Sequence, residues 1–149
     1  MSRRSRARQV AFQVLYQDDL NPQSSPAQAD TLIRRRLRED ALVAFARELV
    51  EGVRAHRPAL DGRIGAAADH WSLSRMAATD RNVLRLGAYE LLVADTPDRV
   101  AIDEAIELAK RFGSAQSAAF VNGILDRLIQ PEAREGGERK DSLPPSTLH

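Results

Sequence analysis

Apolar residues recur at helical spacing through most of the chain. Val10 and Val14 lie four positions apart, as do Ala11 and Leu15, which predicts a first helix over residues 8–19. Similar stripes predict helices over residues 42–53, 60–67, 79–92, 103–112 and 115–129. Turn-forming residues predict a loop over 21–29 and a helix end over 52–58. Because no alternating strand pattern and no internal repeat occurs, the sequence predicts an all-α bundle.

The end of the chain has a different composition. Residues 131–149 contain few apolar side chains and many Pro, Gly and charged residues. Such a segment cannot bury enough surface to offset the entropy lost on ordering. The sequence therefore predicts one folded domain over residues 1–130 and a disordered tail over 131–149.

Composition excludes several classes of protein. The chain has 149 residues and 43% hydrophobic content, enough for one domain with a sizeable core. It has no cysteine, so disulfides and thiolate metal sites are excluded. Its apolar runs are shorter than the roughly 20 residues of a membrane helix, and no signal peptide is visible. We therefore expect a soluble, cytoplasmic protein.

Catalytic chemistry has little support in the sequence. The three histidines, His56, His70 and His149, are not spaced as a metal-binding pair. The acids from Asp103 to Glu107 are explained by the dipole of the predicted helix that they open. No phosphate loop or activated nucleophile is present. We expect a protein that is not an enzyme and holds no metal or cofactor.

Charge is concentrated at the N-terminus. The net charge is only +1, yet Arg3, Arg4, Arg6 and Arg8 precede the first acid, Asp18. One interpretation is a solvated, frayed terminus. The other is a phosphate-binding cluster, because arginine offers bidentate donors and stacks on bases. A second basic run over residues 34–38 is followed by acids, which favours a solvated face.

Recognition of an unpaired base would require an aromatic surface beside this charge. Tyr16 and Phe120 are the better candidates because polar residues adjoin both in the sequence. Each is also compatible with a place in the core. The sequence thus predicts one surface formed by the arginine cluster, Tyr16 and Phe120.

Four segments resemble the NusB family of bacterial transcription antitermination proteins. They are "RRSRARQVAFQVLYQ" at the start, "DRNVLRLGAYELL" from Asp80, and "AIELAK" with "FVNGILD" near the end. The resemblance implies about six to seven helices in two packed sub-bundles, roughly 1–70 and 71–130. It further implies binding of the boxA segment of ribosomal RNA transcripts together with ribosomal protein NusE, within the antitermination complex of RNA polymerase and other Nus factors.

The resemblance also implies site residues, carried over by position. For RNA binding these are Arg3, Arg4, Arg6, Arg8, Tyr16, Lys110, Gln116, Phe120 and Asn122. For NusE they are Asp80 and Arg81, expected to be exposed at the start of a helix. Two alternatives remain open: a protein-interaction module whose arginines contact acidic proteins and, as the resemblance also implies, an accessory domain like those of ribosomal RNA methyltransferases.

Overall fold

Helices account for most of the described chain. The structure, a computed structural model, describes residues 2–69 and 71–130, so the predicted disordered tail at 131–149 lies outside the described residues. In chain order the elements are α1 (Arg3–Leu20), α2 (Pro26–Arg36), α3 (Asp40–Ala67), a 3-10 helix (Leu73–Arg75), α4 (Ala78–Leu92), α5 (Asp98–Phe112) and α6 (Ser117–Leu128). The prediction of an all-α bundle is confirmed.

The helix α2 occupies part of a segment that the sequence predicts as a loop. The Ser25 side chain accepts from the Gln28 N–H at 3.2 Å, and the Gln28 side chain accepts from the Ser25 N–H at 3.0 Å. Pro26 fills the first helical position, where the missing N–H is not needed. The loop prediction is wrong beyond residue 25, because Ser, Pro and Gln here start a helix by forming a capping box.

The long helix α3 contains a proline that the sequence predicts as its end. α3 runs for 28 residues and passes through Pro58. A proline inside a helix removes one backbone hydrogen bond and strains the preceding turn. Buried side chains on both sides of it, Val50 and Val53 before and Ala59 and Leu60 after, pack on the same core. The predicted break at 52–58 is wrong because this packing outweighs the local preference.

The helix α4 lies at the centre of the bundle. Every residue from Asn82 to Leu92 is buried, and α1, α3, α5 and α6 all pack against it. At Gly87 an added Cβ would lie 2.9 Å from Leu125 Cδ1 and 3.3 Å from Ala105 Cβ. The small residue therefore allows α5 and α6 to approach α4 closely.

The buried apolar residues of all six helices form one hydrophobic cluster. The boundary between two sub-bundles near residue 70 stays a prediction. None of the helices within the described ranges is long and apolar enough to cross a membrane.

Candidate nucleic-acid interface

The exposed side of α1 is a polar stripe. Residues on one side of α1 are all exposed or half-buried, as helical periodicity predicts. The apolar residues on the other side of α1 are buried. We call the exposed and half-buried set the α1 stripe: Arg6, Gln9, Gln13, Tyr16 and Gln17. Of the N-terminal arginines, Arg4 and Arg8 fall on the opposite side of the helix, toward α3. The stripe thus joins Arg6 to Tyr16, with glutamines between them.

The guanidinium of Arg8 is buried in an ion pair. Its Nε and Nη2 donate to the two carboxylate oxygens of Glu90 at 2.8 and 3.0 Å, and its Nη1 donates to Glu104 at 3.1 Å. Arg8 is 5% exposed and Glu90 is 2% exposed. Burial disfavours the charged form, but hydrogen bonding to Glu90 and the charges of both acids outweigh it, so the pKa of Arg8 is raised. The expectation that Arg8 is unpartnered and open to phosphate is wrong.

Hydroxyl groups complete this buried network. Thr96 Oγ1 donates to Glu90 Oε2 at 2.7 Å, and Ser5 Oγ donates to Glu104 Oε2 at 2.9 Å. Ser5 belongs to α1, Glu90 to α4 and Glu104 to α5. The network therefore fixes the first turns of α1, which carry the remaining arginines, against the two helices beneath them.

The other three N-terminal arginines lie at the surface but differ in the contacts that their side chains make. Arg3 forms an ion pair with Glu39 before α3, so it too has an acidic partner. The Cζ atom of Arg4 lies 4.2 Å from the centroid of the Phe45 ring, a cation–π contact. Arg6 is exposed and has no ion pair within residues 2–69 and 71–130. Arg6 is thus the member of the cluster most available to a phosphate.

A first cleft lies between α1 and the end of α5. Its volume is about 220 Å³, and its lining includes Gln9 of the α1 stripe together with Lys110 and Arg111. Gln9 Oε1 is buried and finds no hydrogen-bond partner among the described residues. The Lys110 ammonium lies 3.7 Å from Glu107, and both side chains are exposed. The structure therefore places Lys110, a predicted RNA-binding residue, beside the α1 stripe.

A second cleft of about 470 Å³ follows along the same stripe. It is lined by residues of α1, α2, α4 and α5: Phe12, Gln13, Tyr16, Gln17, Leu32, Arg36, Thr79 and Phe112. The Phe12 ring centroid lies 6.0 Å from that of Tyr16 and 5.0 Å from that of Phe112. Gln13 Oε1, like Gln9 Oε1, is buried with no hydrogen-bond partner in the described part of the chain. Tyr16 therefore lies in a cleft that is lined by aromatic side chains, an amide and a guanidinium.

The residues predicted at and near the start of α6 are not among those that line the two clefts. Phe120 is half-buried and packs against the core, and among the described residues its ring contacts no other aromatic ring. Gln116, which precedes α6, and Asn122 on α6 are both exposed. Tyr16 adjoins Phe12, and the single surface expected from the arginine cluster, Tyr16 and Phe120 stays a prediction. A role for Gln116, Phe120 and Asn122 in RNA binding stays a prediction.

The two residues predicted to contact NusE differ in environment. The expectation that Arg81 is exposed is wrong, because its Nε donates to Asp19 at 2.6 Å and its Nη1 donates to the carbonyls of Leu73 and Met76, each at 3.0 Å. Asp80 is half-buried, so it is less exposed than expected. Its Oδ1 is buried without a hydrogen-bond partner in the described ranges.

The acid that holds Arg81 belongs to a second network of charges. Burial raises the pKa of the Asp19 carboxyl, but hydrogen bonds from Arg81 and Asn82 and the charge of Arg85 outweigh it, so the pKa is lowered overall. Arg85 also donates to both carboxylate oxygens of Asp61, at 2.8 and 3.0 Å. This network ties the end of α1 to α3 and to the start of α4.

Sequence reasoning missed several residues of the clefts. Completing the helical stripe from Arg6 to Tyr16 would have found Gln9 and Gln13. Phe112 and Arg36 carry no such local signal, because each reaches the second cleft only through helix packing. Across the described residues, no group of three or more acids and histidines is arranged to hold a metal ion.

The fold and the two clefts define a class of protein: an all-helical bundle whose first helix is flanked by clefts lined by charged, amide and aromatic side chains. The sequence model of the NusB family matches residues 5–130, so the chain belongs to the NusB family. It is 46% identical over 142 residues to the transcription antitermination protein NusB of Anaeromyxobacter dehalogenans, covering 91% of this chain and 97% of that one. It is 41% identical over 148 residues to the NusB of Desulfitobacterium hafniense, covering 96% and 98%.

Solved structures show the same fold. NusB from T. maritima is 36% identical and superposes with a TM-score of 0.78, covering 91% of this chain and 96% of that one. A complex of the antitermination factors NusB and NusE with dsRNA matches with 26% identity and a TM-score of 0.75, covering 85% and 95%.

Proposed function

We propose that this protein is a non-catalytic adaptor of transcription antitermination, which acts in the cytoplasm. It binds the boxA segment of ribosomal RNA transcripts together with NusE, and the pair joins RNA polymerase and other Nus factors. The observation that carries the RNA-binding part is the α1 stripe, which leads from Arg6 through Gln9 and Gln13 to Tyr16 between two clefts. Membership of the NusB family supports the rest.

The chemistry of the stripe favours single-stranded RNA over a general polyanion. Arginine and lysine neutralise phosphates without regard to sequence. Ring faces stack on bases, and amide groups hydrogen-bond to base edges, but both need bases that are not already paired. Arg6 and Lys110 supply the first kind of contact, whereas Tyr16 and the two glutamines supply the second.

For the NusE partner we propose contact through Asp80 at the start of α4. The support is its buried Oδ1, which lacks a hydrogen-bond partner within the described residues, and its place next to Thr79 at the rim of the second cleft. The body of α4 offers no surface, because it is buried from Asn82 to Leu92.

The test is a salt titration of binding by the complex with NusE, using three RNAs: a boxA-like single strand, a scrambled single strand and a boxA-like duplex. We expect the boxA-like single strand to bind most tightly. Phosphate contacts from Arg6 and Lys110 alone predict a log–log salt slope of about −1.4, and added contacts from the surface arginines Arg3 and Arg4 would bring it to roughly −3.

Two outcomes would contradict the proposal. Equal affinity for the boxA-like and scrambled strands, beside tight binding of NusE, would indicate a protein-interaction module. Tighter binding of the duplex would indicate that the protein recognises shape and not unpaired bases.

A further inference from the structure

A second group of arginines lies at the end of α2, next to the cleft that contains Tyr16. Arg34, Arg35 and Arg36 form the last turn of α2, and Arg38 follows in the connection to α3. All four are exposed. Arg34 donates to Asp30 at 3.3 Å, whereas Arg35, Arg36 and Arg38 have no ion pair within residues 2–69 and 71–130. The sequence favours a solvated helix face for this run. In the structure, however, Arg36 also lines a cleft.

Arg36 borders the second cleft. Leu32 lies one helical turn before it and lines the same cleft, so both face α1. Across from them are Gln13 and Tyr16 of α1 and Phe112 of α5. The cleft therefore brings a guanidinium from α2 into one space with an aromatic cluster and with a buried amide oxygen that has no partner among the described residues.

We propose that Arg36 and the second cleft form a further nucleotide-binding subsite, which extends the RNA path from α1 onto α2. One unpaired nucleotide occupies it: Arg36 binds the phosphate, the aromatic rings pack against the base, and Gln13 hydrogen-bonds to the base edge. This inference rests on the proposed function, because the occupant is part of the same RNA strand. A volume of about 470 Å³ is within the range of small-ligand sites.

A simpler explanation for these arginines is the helix dipole. Positive charge in the last turn stabilises any helix, and this effect applies to Arg34 and Arg35 as much as to Arg36. It gives no reason for Arg36 to adjoin an aromatic cleft. Arg34 is the control for Arg36: both are exposed and lie in the last turn of α2, and only Arg36 lines the cleft. Arg34 differs further in its ion pair with Asp30, but an exposed pair of this kind contributes little to stability.

The experiment compares Arg36→Gln with Arg34→Gln in the full chain, by titration with the boxA-like single strand over a range of salt concentrations. Each variant loses one positive charge, so any effect of net charge is equal in the two. We expect Arg36→Gln to lower affinity about ten-fold and to reduce the magnitude of the salt slope by about 0.7. Arg34→Gln should stay within about two-fold of the unmodified protein, and Arg36→Lys should restore the slope because it keeps the charge.

The outcomes separate the inference from the function on which it rests. An equal loss in both glutamine variants, or no loss in Arg36→Gln while the unmodified protein still prefers boxA-like RNA, would overturn the subsite alone. If the unmodified protein does not distinguish boxA-like from scrambled RNA, the proposed function fails and the subsite fails with it. Urea unfolding of each variant shows whether the affinities compare equally folded proteins.

Discussion

At the scale of single residues, neighbours in the sequence have different tasks. Arg6 and Arg8 are two positions apart in one basic run, yet Arg6 is exposed and Arg8 is sealed against Glu90. Two positions on a helix correspond to a rotation of roughly 200°, so the two side chains leave α1 in nearly opposite directions. Arg8 therefore holds the helix in place, and Arg6 is free to contact a ligand.

These different tasks predict opposite responses to the same substitution. Arg8→Gln leaves the buried Glu90 carboxylate without its main partner, and breaking such a pair costs roughly 3–5 kcal/mol of unfolding free energy. Arg6→Gln should change stability by less than about 0.5 kcal/mol, as for other surface substitutions, but should weaken RNA binding. Urea unfolding and RNA titration of both variants measure the two effects. Unchanged stability in Arg8→Gln together with lost RNA affinity would show that Arg8 is an RNA contact after all.

At the scale of elements, close approach between helices depends on single glycines. Gly52 lies inside α3, and a Cβ added there would lie 2.2 Å from Cζ of Tyr89 on α4. Such a contact cannot be accommodated unless the tyrosine ring moves. The phenol is already packed in the interior, where burial, followed by the charges of Glu48 and Glu90, raises the pKa of Tyr89. The close packing of α3 on α4 therefore requires glycine at position 52.

Two alanine substitutions in α3 test this point. Alanine favours a helix by about 1 kcal/mol over glycine, whereas overpacking a core costs about 1–3 kcal/mol. Gly52→Ala should therefore destabilise the protein despite its better helix propensity. Gly62→Ala, in the same helix with nothing within 4 Å of the added Cβ, should stabilise it by up to about 1 kcal/mol. Thermal unfolding of both variants is the measurement, and stabilisation by both would refute the tight contact at Tyr89.

At the scale of the whole molecule, charge networks join helices that are distant in the sequence. Arg8 with Glu90 and Glu104 links α1 to α4 and α5, and Asp19 with Arg81 links the other end of α1 to the start of α4. Because α1 and α4 meet at both ends, the α1 stripe is held in a fixed orientation over the core. A rigid stripe is suited to binding, since less order has to be gained when a ligand arrives.

The Asp19 network predicts a contribution to stability that depends on pH. The pKa of Asp19 is lowered in the folded protein, so its contribution is complete above the unfolded pKa of about 3.9 and is lost as pH falls through the lower folded value. Asp19→Asn should cost roughly 2–3 kcal/mol near pH 7. The gap from the unmodified protein should shrink progressively below about pH 4.

Urea unfolding at several pH values measures this gap. Asp126→Asn is the control, because Asp126 is exposed and forms no ion pair within the described ranges. A gap for Asp19→Asn that stays constant down to pH 2 would contradict the proposed linkage.

The sequence by itself determined the fold class and most of the helices. Local periodicity is enough for this, because an apolar stripe at helical spacing predicts a helix regardless of which other helix it packs against. The first helix was predicted over residues 8–19, whereas α1 already begins at Arg3, so its start was not visible in the apolar pattern. The resemblance of four segments to the NusB family, which the family match bears out, was also present in the sequence alone.

Only the tertiary structure decided which charges are free and which rings share a surface. Glu90 and Glu104 lie 82 and 96 positions after Arg8, and no local pattern shows that they neutralise it. Helix packing likewise continued α3 through Pro58 and brought Phe112 and Arg36 to the cleft beside Tyr16. Helix propensity and apolar periodicity depend only on residues within a few helical turns. Ion pairs and clefts form between helices that can be far apart in the sequence, so no local pattern predicts them.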